Sequence, residues 1–264
     1  MSIIADVFKP NYKAMIAYIT AGYPDQKATV KVARKLAEGG CDIIELGIPF
    51  SDPLADGATI QKASYYALKQ GVTPDACLEM AAKIRKSIAT PLVFMTYYNP
   101  VLNYGLKKFC KKCVGAGVNG LIVPDLPPEE GLELETITRK AGLDLIYLLA
   151  PTSTESRINV VASSSRGFIY LVSLTGVTGA RDTLSLELAG FVERVREKTS
   201  LPLCVGFGIS TVEQAGQAAA LTDGVIIGSR LIQLIEKDAT LKSLKSFIKS
   251  VRTELDIKKN TGRY

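Results

Sequence analysis

In the stretch "IIELGIPFSDPLADG", Glu45 sits within an apolar run and Asp56 follows eleven residues later in a proline-bearing loop. Two acids so placed suit general acid/base chemistry when their surroundings set their protonation apart, one kept neutral to give a proton and one kept charged. Composition narrows the alternatives. The 264-residue chain has no histidine, which removes Ser-His-Asp triads, HExxH zinc sites and imidazole proton transfer. Proton transfer must therefore use carboxylates, Tyr, Lys or Cys. Five cysteines, Cys41, Cys77, Cys110, Cys113 and Cys204, in a chain without a signal-peptide pattern argue for reduced thiols. Cys110 and Cys113 form one CxxC inside the basic helical pattern "LKKFCKKCVGAG"; with no second CxxC it reads as helix, and no metal site is expected.

These acids must be held by something. Short apolar runs at 15–20, 42–47, 92–97, 120–124, 144–150, 168–173, 201–208 and 224–228 alternate with amphipathic stretches. Continuously apolar runs suit parallel strands covered on both faces. Eight strand–helix units without a long linker predict a single-domain α/β fold, a (β/α)8 TIM barrel over residues 1–256, with 257–264 as a flexible tail. A doubly wound sheet is the alternative. Alternation along a strand puts Ile43, Glu45 and Gly47 on one face and Ile44 and Leu46 on the other. If the first set points inward, Glu45 lies near the carboxyl end of its strand, where barrel active sites are built. A salt-bridged strand end would explain Glu45 equally, but no cationic residue lies between Cys41 and Gln61. Tyr170 shares the inward parity with Phe168 and Val172, and suits core packing as well as a site.

Glycines gather where the last two strands turn into helices. "VGFGIS" and "IIGSRLIQLI" offer backbone N–H groups at helix starts, with Ser210 or Ser229 able to cap. Loops after strands seven and eight of barrels frequently bind phosphate, with a short extra helix after strand eight. The ten residues of "SLTGVTGARD" after strand six exceed a usual connection and suit a lid, or a plain loop. No strand ends in a lysine, so Schiff-base chemistry fits poorly. Net charge is +6, with +5 of it in Lys237–Tyr264; the helical spacing there predicts a solvated last helix, and without interleaved aromatics no nucleic acid is expected. No apolar stretch approaches the ~18 residues of a membrane span, so the expected location is cytoplasmic.

"ELGIPFSDPLADG", "MTYYNPVLNYG", "IVPDLPPEE", "SLTGVTGAR", "VGFGIS" and "VIIGSR" occur in this order, and together they resemble the tryptophan synthase alpha subunit family. The resemblance runs from an extra N-terminal helix, "IIADVFK", through the eighth barrel helix. It implies a carbon–carbon lyase that cleaves indole-3-glycerol phosphate to indole and glyceraldehyde 3-phosphate. Glu45 and Asp56 match the family's catalytic acids. Tyr170 and Tyr18 match substrate-side aromatic positions, Gly179, Gly208, Gly228 and Ser229 match phosphate-holding positions, and Asp125 and Thr178 match a pair joining the fourth loop to the lid. The resemblance also implies a beta subunit partner in an alpha2-beta2 heterotetramer, with pyridoxal phosphate in that partner and no cofactor in this chain. The loops at 49–58 and "YYNPVLNYG", with Tyr97, Tyr98, Pro100, Val101 and Leu102, are the expected contact surface. Ala58 departs from the family's common "ADGP", as do Leu174 and Thr175 in the lid. A neighbouring phosphate-barrel enzyme and a non-catalytic activator of a beta subunit are the competing readings. The chemistry expects Glu45 to have a raised pKa among Ile43, Ile44 and Leu46, and Asp56 to stay ionised.

Overall fold

The computed structural model describes residues 2–172, 181–206 and 208–258. Among these residues nine parallel strand segments run β1 (Ala14–Thr20), β2 (Ile43–Gly47), β3 (Leu92–Met95), β4 (Gly120–Ile122), β5 (Asp144–Ile146), β6 (Leu148–Leu149), β7 (Ile169–Val172), β8 (Leu203–Gly206) and β9 (Gly224–Ile227). Their order, β5-β4-β3-β2-β1-β9-β8-β7-β6, starts and ends on β5 and β6. These two are consecutive pieces of one barrel strand broken at Tyr147, whose carbonyl still accepts from Tyr170 N–H at 3.0 Å. The sheet therefore closes as the expected eight-unit barrel.

Among the described residues eleven helices cover it: α1 (Gln26–Glu38), α2 (Ala58–Lys69), α3 (Pro74–Arg85), α4 (Tyr98–Tyr104), α5 (Leu106–Gly115), α6 (Leu132–Ala141), α7 (Glu155–Ser164), α8 (Arg181–Arg196), α9 (Val212–Leu221), α10 (Ser229–Lys237) and α11 (Lys242–Lys258). The short helix after the eighth barrel strand is α10. The stretch expected as the extra N-terminal helix is only a three-residue 3-10 turn, Ala5–Val7; ahead of it Ile4 is fully buried and joins the barrel-interior cluster. α11 continues through Ile257 and Lys258. Its inner stripe, Leu244, Ile248, Val251 and Leu255, is fully buried at helical spacing while Lys242 and Lys249 face water. Arg252 on the same helix donates to Asp42 at 3.0 Å and lies over the Tyr12 ring, which ties α11 to the start of β2.

Alternation sorts the core into two shells, as the parity argument requires. Ile16, Tyr18, Ile43, Val93, Met95, Ile122, Ile146, Phe168, Tyr170, Cys204 and Ile226 fill the barrel. Ile44, Leu46, Phe94, Leu121 and their neighbours pack between sheet and helices. All five cysteines are buried and free, Cys110 and Cys113 on the core face of α5. No helix among the described residues is long and apolar enough to cross a membrane.

Candidate active site

Glu45 is fully buried, in register with Tyr18 of β1 on one side and Val93 of β3 on the other. Neither carboxylate oxygen has a hydrogen-bond partner among the described residues. Desolvation, and secondarily the charge of Asp56, pushes its pKa up to about 8. The dry surroundings differ from the expectation in one respect. Ile44 and Leu46 face the outer shell, so the desolvating walls are Ile43 and the neighbouring strands' inward side chains.

Asp56 is half-buried in the loop between β2 and α2. Its N–H bonds Pro53 carbonyl at 3.0 Å and its own carbonyl accepts from Gln61 Nε2 at 2.9 Å. Burial raises its pKa to about 6, and a hydrogen bond from Tyr97 opposes that rise. Burial thus leaves Glu45 the weaker acid of the two and Asp56 the stronger.

Tyr97 is the residue that sequence reasoning placed wrongly. It was expected on an exposed contact surface, yet it is buried. Its phenol oxygen accepts from Ala55 N–H at 2.9 Å and its ring packs on Phe50 at 5.2 Å, anchoring the loop that carries Asp56. Val101 is likewise fully buried, and of that group only Leu102 stands largely open, at 52%. "YNPVLNY" is not a loop but α4, and Asp125 accepts from Tyr98 N–H at 2.9 Å, serving as the cap that the helix lacks locally.

Tyr18 and Tyr170 both lie in the barrel interior and both feel the charges of Glu45 and Asp56, after burial itself, in raising their pKa. Each needs a strand-end glycine. A Cβ on Gly47 would lie 2.2 Å from the Tyr18 hydroxyl, and one on Gly206 would lie 2.3 Å from that of Tyr170. These glycines lie diagonally across from the tyrosines on neighbouring strands, on the same face; two glycines ending apolar runs were the available signal, but only the register pairs them with tyrosines.

Gly228 lies beside Tyr18, with an added Cβ at 3.4 Å from the Tyr18 Cβ, and it is the N-cap of α10 with no side-chain cap. The Gly228 carbonyl takes the N–H groups of Leu231 and Ile232 at 2.8 and 3.2 Å, no side chain caps the amides ahead of them, and the helix dipole favours an anion there. Ser229 is the first residue of α10 rather than its cap. Ser210 is not the cap of α9 either: Thr211 forms a capping box with Gln214, and Ser210 bonds the same Gln214 side chain at 2.9 Å. Gly208 follows β8 with φ +82°, the left-handed region. Thr178 and Gly179, with Leu174 and Thr175, lie outside the described residues.

Fold and site define a class: a parallel (β/α)8 barrel that carries two carboxyl groups of raised pKa, Glu45 and Asp56, and a helix start at Gly228 without a side-chain cap. The family model described as tryptophan synthase alpha chain matches residues 4–260. The tryptophan synthase alpha chain of Dehalococcoides mccartyi is 57% identical over 256 residues, 97% of this chain and 100% of that one. Tryptophan synthase subunit alpha from Legionella pneumophila superposes with a TM-score of 0.90 at 36% identity, covering 97% of this chain and 99% of the other. A ligand-free tryptophan synthase structure from M. tuberculosis gives a TM-score of 0.89 at 36% identity, covering 97% and 100%. The chain belongs to the tryptophan synthase alpha chain family.

Proposed function

We infer that the chain is a carbon–carbon lyase of tryptophan biosynthesis, cleaving indole-3-glycerol phosphate to indole and glyceraldehyde 3-phosphate. The observation that carries this reading is Glu45, a buried, unpartnered carboxyl with a pKa raised to about 8 inside the barrel mouth. Direct rupture of the bond from indole C3 to the glycerol chain would expel a poor carbanion. Glu45 gives its proton to C3, and the ring becomes an electron-poor iminium. The Glu45 carboxylate so formed takes the proton of the side-chain hydroxyl next to the breaking bond. The carbonyl of the aldehyde forms as the C3 bond breaks and its electrons restore the indole. Asp56, ionised, faces the indole N–H and stabilises the positive charge spread over the ring, a preorganised electrostatic effect. Tyr18 and Tyr170 flank the ring. Gly179, Gly208, Gly228 and Ser229 hold the phosphate through backbone N–H groups and a hydroxyl, and Asp125, with Thr178, couples the fourth loop to the lid.

The partner is a beta subunit in an alpha2-beta2 assembly located in the cytoplasm. It holds pyridoxal phosphate and joins the indole to serine; this chain itself needs no cofactor. Leu54, 93% exposed beside the Asp56 loop, and Leu102 are apolar contacts such a subunit would cover. The direct test is a product assay with indole-3-glycerol phosphate, run with and without beta subunit. Indole is expected from this chain alone and faster with the partner. Indole only in the partner's presence, with Glu45 and Asp56 replaceable, would leave the non-catalytic activator as the better reading.

The two carboxylates also set a pH profile. Below about 6 Asp56 takes up a proton and the stabilising charge is lost; above about 8 Glu45 ionises and the acid is lost. A bell-shaped kcat/KM with limbs near these values is expected, read as properties of the coupled pair. In Tyr97→Phe, loss of the hydrogen bond to Asp56 moves the acid limb upward by up to about one pH unit, leaving the basic limb in place. An acid limb unmoved in that variant would remove Tyr97 from the positioning of Asp56.

A further inference from the structure

On the outer helical layer, α5 and α6 lie side by side and leave a groove of about 740 Å³ between them. Its walls are apolar. Leu132 is 72% and Val114 46% exposed, two of the eight large apolar side chains that stand open among the described residues, and Ile137 is half-buried between them. Lys107, Lys111 and Lys140 edge the groove against a single carboxylate, Glu133. None of the three lysines is ion-paired among the described residues.

We propose that this groove docks an acidic amphipathic helix of a partner protein, its apolar stripe seated on Leu132, Val114 and Ile137 and its carboxylates facing the three lysines. Two ten-residue helices packed side by side make a trough roughly 15 Å long, the length of a three-turn helix. Lys107 and Lys111 are one turn apart, which matches carboxylates four residues apart on a helix laid alongside. The surplus of ammonium groups selects an acidic occupant. A second copy of this face does not fit: α5 carries four lysines and no acid, so a two-fold contact would set like charges together. An acyl carboxylate fits less well, because it would use one ammonium at one end and leave those along both walls unanswered.

The test uses the full chain and a fluorescein-labelled helical peptide of about fourteen residues, leucines on one face and glutamates four apart beside them. Saturable, salt-sensitive binding is expected, with amide shifts confined to Leu106–Gly115 and Leu132–Ala141. Replacing the peptide's glutamates by lysine, doubling Lys107→Glu with Lys111→Glu, or making Leu132→Ser in the protein should each weaken binding at least about tenfold. Indole release by these protein variants stays unchanged. Equal binding of the acidic and basic peptides, shifts outside the two helices, or occupation of the groove by dodecanoate or by a second copy in preference to the peptide would overturn the proposal.

Discussion

Glu45→Gln is expected to lower the rate of indole release by roughly 10³-fold or more, with substrate affinity kept within a few-fold. General acid/base catalysis by one positioned group contributes on the order of 10² to 10⁴, and in the proposed mechanism the same carboxyl serves twice, giving a proton to C3 and taking one from the hydroxyl. The amide keeps the size and neutrality of the protonated acid, so the barrel interior around Ile43, Tyr18 and Val93 needs no repacking. Binding measured by equilibrium dialysis or calorimetry should therefore survive while single-turnover cleavage fails. Near-normal indole release from the variant would end the assignment.

The same substitution has a stability consequence of opposite sign. Glu45 binds its proton far more tightly in the folded protein than in the unfolded chain, where the ordinary value is 4.5. The folded state then loses stability as pH climbs from there through about 8, and full ionisation costs on the order of several kcal/mol. Asp56, raised to about 6, adds in the same direction over the lower part of that range. Glu45→Gln removes the larger contribution. Its melting temperature is expected to match the parent near pH 5 and to exceed it at pH 9.

How far the sequence speaks depends on whether the deciding contact is local. Parity is local: Ile43, Glu45 and Gly47 share a face in any strand, and once the runs read as parallel strands the inward glutamate followed. α11 was legible for the same reason, its apolar stripe repeating at helical spacing. "YYNPVLNYG" was misread because what makes it helical lies elsewhere. Pro100 sits in the first turn of α4, where a missing N–H costs little, and the cap is a carboxylate 27 residues downstream. Tyr97 turns inward because a loop from the preceding unit offers it Ala55 N–H and the Phe50 ring. The pairing of Tyr18 with Gly47 and of Tyr170 with Gly206 is likewise a property of strand register, which one sequence does not display. Serines at 210 and 229 looked like caps by type, yet Thr211 outcompetes one with a complete capping box and the other begins the helix itself.

Gly208→Asp is expected to raise the substrate's KM by about 10³-fold and abolish measurable binding of glycerol phosphate analogues. Gly208 follows β8 in the left-handed region, at φ +82°, on the barrel mouth where the next unit brings Gly228 and the start of α10. In the proposed phosphate site, a carboxylate there would face the phosphate that the neighbouring amides attract. Two like charges about 4 Å apart at an effective dielectric of ~20 repel by roughly 4 kcal/mol, close to three factors of ten in affinity. Asparagine separates charge from shape, since it has nearly the same volume and tolerates the same backbone region. Gly208→Asn should thus raise KM far less than Gly208→Asp, and high salt should narrow the gap between them because Gly208 is exposed to solvent. Glu45 and Asp56 are untouched in both, so whatever substrate does bind turns over at a kcat near the parent's. If the aspartate and asparagine variants bind equally well, the phosphate does not sit against this turn and the anchoring side of the site must be sought elsewhere on the mouth.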